Sequence, residues 1–129
     1  MKFYIVIPAH NEEDNIGLTL KSLINQTLLP TKLLVVDDNS TDNTAYIVNN
    51  IAKKHPWISL VSNTSSEAHL PGAKIINAFY KGYESLDTDF DVICKYDADL
   101  IFPNNYLDSL ILFVLPSQQH TCLLIYLLR

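Results

Sequence analysis

The chain has 129 residues, enough for one domain with a core of its own. Its net charge of −5 and pI near 5.1 argue against nucleic acid as a partner, because such binders carry a basic face. The same acidity argues against unaided binding of anions, while 48% hydrophobic and 18% charged residues fit a folded globular protein.

Strand and helix signals alternate along the chain. Residues 3–7 are apolar and β-rich, and Pro8 closes a run too short for a signal peptide, so it reads as a buried strand. Ile16, Leu20, Leu23 and Ile24 follow at helical spacing, with Glu12, Glu13 and Asp14 expected in the first turn, where acids suit the helix dipole. Residues 33–36 read as a second strand. Asn39, Ser40, Thr41 and Asp42 supply turn and cap residues for a second helix that buries Ala45, Val48, Ile51 and Ala52. Pro56 ends it, and residues 58–61 read as a third strand. A polar loop over 62–71 leads to a third helix with Ile76, Phe79, Tyr80 and Tyr83 on one inward face. Residues 92–96 form a fourth strand, from which Lys95 is read as alternating outward. Leu107, Leu110, Ile111 and Val114 mark a fourth helix. The apolar run 122–128 reads as a fifth strand or as an aberrant tail.

Continuous apolar strands alternating with amphipathic helices predict an α/β fold with a doubly wound, mostly parallel sheet. Ligands of such sheets bind beyond the carboxyl ends of the strands. No apolar run reaches the roughly 18 to 20 residues of a membrane span. Cys94 and Cys122 lack metal-like spacing and read as reduced thiols, which points to the cytoplasm.

The polar clusters fall just after predicted strands: His10-Asn11-Glu12, Asp37-Asp38-Asn39-Ser40 and Asp97-Ala98-Asp99. Each alone could be a solvated turn or a helix cap. Three acidic clusters at carboxyl ends should instead converge on one site. Two carboxylates at Asp97 and Asp99 can present oxygens to one hard cation, and magnesium or manganese can bridge a diphosphate. Asp37 and Asp38 can accept hydrogen bonds from a base or a ribose. Lys74 stands at the start of the third helix, where a cation and a helix N-terminus both suit phosphate. His55, His69 and His120 read as surface residues, and with only Gly17, Gly72 and Gly82 there is no glycine-rich phosphate loop.

Five segments together resemble the family 2 glycosyltransferases, an inverting group with a GT-A fold. They are Ile5-Val6-Ile7-Pro8-Ala9-His10-Asn11-Glu12-Glu13, Leu23-Ile24-Asn25-Gln26-Thr27, Val35-Val36-Asp37-Asp38-Asn39-Ser40-Thr41-Asp42, Pro71-Gly72-Ala73-Lys74 with Asn77-Ala78, and Tyr96-Asp97-Ala98-Asp99. Their order and spacing fit over roughly residues 2 to 115. The resemblance implies a UDP- or GDP-sugar donor, a divalent metal and a glycan or lipid-linked glycan acceptor. By position, Pro8, Ala9, His10 and Glu12 would line the nucleoside pocket and Asp38, supported by Asp37, would bind the base. Lys74 would lie near the nucleotide, Asp97 would face ribose or sugar, and Asp99, with Asp97, would hold the metal.

The family's catalytic base belongs to a later segment with no counterpart here, so residues 1–115 are expected to form the nucleotide-sugar-binding half of a truncated GT-A domain, and 116–129 a divergent tail. Whether the chain is itself an enzyme is therefore left open. The expected location is the cytoplasm, with peripheral attachment to the inner membrane as a variant. Surfaces bared by truncation would favour a homodimer. The competing reading is a non-catalytic nucleotide-binding or oligomerisation module. A phospho-acceptor receiver domain fits less well, since it needs its acidic pair after the first strand.

Overall fold

The computed structural model describes the backbone of residues 1–64, 73–114 and 123–127, and the side chains of 1–64 and 74–112. Strands β1 (Phe3–Ala9), β2 (Lys32–Asp38), β3 (Ile58–Asn63), β4 (Val92–Tyr96) and β5 (Leu123–Leu127) alternate with helices α1 (Ile16–Ile24), α2 (Thr44–Ala52), α3 (Ala73–Ser85) and α4 (Tyr106–Val114). All pairings are parallel, in the order β3-β2-β1-β4-β5. This is the expected doubly wound α/β architecture. The chain winds outward from β1 through β2 to β3, then returns to place β4 on the other side of β1.

β1 is buried on both faces, which is why its sequence is an unbroken apolar run. Phe3, Ile5, Ile7 and Ala9 join Leu33, Val35, Val92, Cys94 and Tyr96 under α1, α2 and α4. Tyr4 and Val6 join Leu34, Val36 and Ile93 under Ala78 and Phe79 of α3. β1 pairs with β2 up to Ala9↔Asp37, but with β4 only up to Val6↔Lys95. Past Val6 the sheet opens between β1 and β4, and Pro8, which has no N–H to donate, lies in that opening.

Several expectations shift. Glu12, Glu13 and Asp14 precede α1 instead of forming its first turn, because the chain turns through a left-handed Asn11 (φ 51°) and the Glu12 N–H and carbonyl are used in the loop. In α2 the fully buried residues are Thr44 and Val48, while Ile47, Ile51 and Ala52 only lean on the core. β3 runs on through Ser62 and Asn63, which the sequence reading gave to the loop; the rest of that loop lies outside the described residues.

The inward stripe expected on α3 is rotated. Phe79 is buried, but Ile76 and Tyr80 are each 50% exposed and Tyr83 37%. The face against the sheet is Ala78, Phe79 and Gly82. A Cβ on Gly82 would lie 2.6 Å from Val36 Cγ2 and 2.9 Å from Val6 Cγ1, so the helix seats at a distance that only a glycine permits. On α4, Leu107 is buried and Leu110 and Ile111 pack on the core, while Val114's side chain lies outside the described set. The boundary at 115 and most of the tail lie outside the described residues, apart from β5, whose backbone pairs with β4.

Candidate donor-binding site

Two β–α loops at the carboxyl edge are stitched together before either meets a ligand. Asn11 and Asn39 both adopt left-handed backbone (φ 51° and 57°), which asparagine tolerates better than most residues. The Asn11 N–H donates to Ser40 Oγ (2.9 Å), and the Thr41 N–H donates to Asn11 Oδ1 (2.7 Å). The Glu12 N–H donates to Thr44 Oγ1 (2.9 Å), and the Asn43 N–H to Glu13 Oε2 (3.0 Å). Asp42 accepts from the N–H groups of Thr44 and Glu13. Desolvation opposes its charge, but these bonds and the Thr44 hydroxyl hold its carboxyl below the usual range. Asp42 thus ties the first residue of α2 to the loop of Glu13.

This stitching orients His10 and Asp38. His10 Nδ1 lies 2.6 Å from the Asp38 carbonyl oxygen. A carbonyl only accepts, so Nδ1 carries the proton, and Nε2 remains toward the Asn11 amide (3.4 Å). The buried Asp38 carboxylate accepts at Oδ1 from Asn63 Nδ2 (3.2 Å).

A cleft of about 430 Å³ lies between these loops, the first turns of α3 and the end of β4. Pro8, Ala9, His10, Glu12, Asp38, Lys74, Asp97 and Asp99 line it, together with Asn39, Ile75, Ala78 and Ala98. Of the residues singled out in the sequence, Asp37 is not at its wall. It is buried, and its Oδ1 accepts the Ser40 N–H at 3.3 Å, so it shapes the turn that follows Asp38.

Sequence reasoning missed Lys95. It is buried, with its ammonium 3.5 Å from Asp97 Oδ1. The signal was available: Lys95 shares a strand face with Ile93, and in a sheet covered on both sides that face is interior. Asn63 was likewise hidden by assignment to a loop. The cleft wall therefore sets Glu12, Asp38, Asp97 and Asp99 against Lys74, with Lys95 paired to Asp97. Among the described residues, no cluster of three or more His, Cys, Asp or Glu side chains could hold a metal on its own.

Comparison with known proteins agrees with the fold. Residues 4–119 match the family model described as Glycosyl transferase family 2. The chain is 37% identical over 100 residues to the probable glycosyltransferase YdaM of Bacillus subtilis, covering 76% of this chain and 23% of that protein. It is 40% identical over 75 residues to the poly(ribitol-phosphate) beta-glucosyltransferase of Bacillus spizizenii, covering 57% of this chain and 12% of that one. S. aureus TarS 1–349, solved in complex with UDP, superposes with a TM-score of 0.67 at 26% identity, over 90% of this chain and 32% of that one. The mannosyltransferase PcManGT of Pyrobaculum calidifontis, solved with GDP-Man and Mn2+, shares the fold at a TM-score of 0.58 and 24% identity, over 79% of this chain and 28% of that one. The chain thus spans a minor part of each relative, but its match to the family runs nearly end to end, and it belongs to glycosyltransferase family 2.

Proposed function

We propose that the cleft is the donor site of a metal-dependent glycosyltransferase, binding a UDP- or GDP-sugar beside a divalent cation. The observation that carries this reading is the convergence of residues from β1, β2, α3 and the end of β4 on one cleft, at the point where the strand order reverses. In this reading Pro8, Ala9, His10 and Glu12 flank the nucleoside and Asp38 accepts a hydrogen bond from the base. Asp37 holds the turn behind it. Lys74, near the start of α3, faces the phosphates, and Asp97 faces ribose or sugar.

The residues fit a cation that arrives with its substrate. Magnesium and manganese are commonly held by one or two carboxylates, with phosphate oxygens and water completing the shell. Asp99 is the principal protein ligand in this reading. Asp97 is the second, its charge already tempered by Lys95. Bound there, the cation would stabilise the departing nucleoside diphosphate. Without it, a diphosphate would meet Glu12, Asp38, Asp97 and Asp99, with Lys74 and Lys95 to offset them among the described residues.

We assign no catalytic base among these residues; donor binding is the part of the reaction they carry, and transfer to a glycan or lipid-linked glycan belongs to the proposal. A cytoplasmic setting, peripheral to the inner membrane or not, is part of it too and accords with Cys94, a free, buried thiol. So is self-association, which light scattering at several concentrations reads directly. The test of the donor site is calorimetric titration of UDP and GDP with and without manganese. Manganese should raise the affinity for one of them, and Asp99→Ala should abolish that gain. Equal affinity in wild type and variant would falsify the assignment.

A further inference from the structure

One motif quoted from the sequence, Leu23-Ile24-Asn25-Gln26-Thr27, has no place at the cleft. Its Gln26 is nevertheless buried, as is Thr19 two turns earlier on the same face. A buried amide and a buried hydroxyl cost stability unless their hydrogen bonds are made. Both are made to the segment that follows β4.

Thr19 Oγ1 donates to the carbonyl of Ala98 at 2.8 Å, in a buried setting. Ala98 is the residue between the two cleft aspartates. Ser22 Oγ donates to the Thr19 carbonyl (2.7 Å) and accepts from the Phe102 N–H (3.1 Å). Gln26 Nε2 donates to the carbonyls of Ser22 (3.1 Å) and Pro103 (2.5 Å), while its Oε1 accepts from the Leu107 N–H (3.0 Å). That N–H is an orphan donor of the first turn of α4, so Gln26 caps a helix remote in sequence. The Thr27 N–H donates to the Asn104 carbonyl (2.8 Å), and the Thr27 hydroxyl to Asp108. Thr19, Ser22 and Gln26 stand at i, i+3 and i+7, one stripe along α1 and its end. Behind the ladder, Tyr96, Phe102 and Tyr106 stack at 4.7 to 6.0 Å between ring centroids.

The other end of α1 belongs to the opposite wall. The Ile16 N–H donates to the carbonyl of Glu12, which lines the cleft. One nine-residue helix, about 13 Å long, is therefore bonded to the loop of His10 and Glu12 at one end and to the turn of Asp97 and Asp99 along its side.

We propose that Thr19, Ser22 and Gln26 are positioning residues that lock residues 97–107 onto α1 and so set how the Asp97–Asp99 turn faces a cation-bound diphosphate. The proposal rests on the donor-site reading above, and touches neither nucleotide nor metal directly. Removing partners of this kind behind metal ligands typically lowers metal affinity roughly ten- to hundred-fold.

The experiment uses three variants of the 129-residue chain. Thr19→Val keeps shape and loses the hydroxyl, Gln26→Glu keeps shape and loses the donors, and Thr19→Ser keeps the hydroxyl. Amide hydrogen exchange reports the lock without any ligand. Titrations of uridine, and of UDP and GDP with and without manganese, report its consequence. Thr19→Val and Gln26→Glu should speed exchange at residues 98–107 while β1, β2 and α2 keep their protection. They should cut the manganese-dependent gain in nucleotide affinity about ten- to hundred-fold and leave uridine affinity unchanged, and Thr19→Ser should restore both readouts. Uniform loss of protection, or local loss with the manganese-dependent gain intact, overturns the proposal. A wild type that binds neither UDP nor GDP in manganese, with local exchange still raised, counts against the donor-site reading and supports the lock.

Discussion

At the scale of single residues, the cleft divides into groups that face it and groups that hold those groups. Asp38 belongs to the first kind and Asn63 to the second, joined through Asp38 Oδ1. This makes Asp38→Asn an informative substitution. The new side chain keeps an Oδ1 that can accept from Asn63, and the backbone carbonyl that fixes His10 is untouched. Only the oxygen that the donor-site reading offers to a base N–H is exchanged for a donor. Affinity should fall by roughly 1 to 3 kcal/mol with the melting temperature nearly unchanged. A variant that melts early but binds as tightly as wild type would return Asp38 to a purely structural role. The sequence made the facing residues legible because their types carry chemistry, and it concealed the holders. Thr19 and Asn63 look like ordinary surface residues until burial and partners are known, and Lys95 looked exposed because an isolated charge is usually so.

At the scale of elements, strand positions were readable from unbroken apolar runs, whereas helix phase was readable only where the core wants large side chains. α1 satisfies that condition: Ile16, Leu20 and Leu23 are buried as their spacing implies. α3 does not, because the β-branched surface of Val6 and Val36 leaves no room under the helix for a side chain at position 82. Substituting alanine there sets two effects against each other. Helix propensity favours alanine over glycine by about 1 kcal/mol, while forcing a methyl into a filled core costs roughly 1 to 3 kcal/mol. With a contact at 2.6 Å, overpacking wins, and Gly82→Ala should be less stable than wild type to chemical denaturant. Gly17→Ala is the control. Its Cβ would meet Ile47 at an ordinary 3.7 Å, so the propensity gain should appear there undiminished. Equal behaviour of the two variants would remove the argument from close helix–sheet approach.

At the scale of the whole molecule, the amino-terminal edge of the sheet is closed by charge. Asp87, in the connection from α3 to β4, accepts from the Tyr4 hydroxyl of β1 (2.5 Å) and from the Lys32 ammonium of β2. The hydrogen bond from Lys32, then that from Tyr4, holds the Asp87 carboxyl far below the usual carboxylate range. A carboxyl depressed in the folded state adds stability above its unfolded value near 4, and that stability is lost as pH falls further. The pair is nearly half exposed, so solvent screens much of the effect. Asp87→Asn should flatten the acid limb of a melting-temperature profile below about pH 4 and leave its shape at neutral pH unchanged; an identical acid limb in both proteins would dismiss the clasp. The strand order carries a different consequence, one of timing. β1 can pair with β2 soon after both leave the ribosome, but its other neighbour is β4, with Phe3 opposite Val92. Until some ninety residues have been made, the central strand of the sheet is an edge strand, offering a bare apolar ladder to any chain nearby. During synthesis the fold is therefore most vulnerable to misassociation at the strand that is best protected once it is complete.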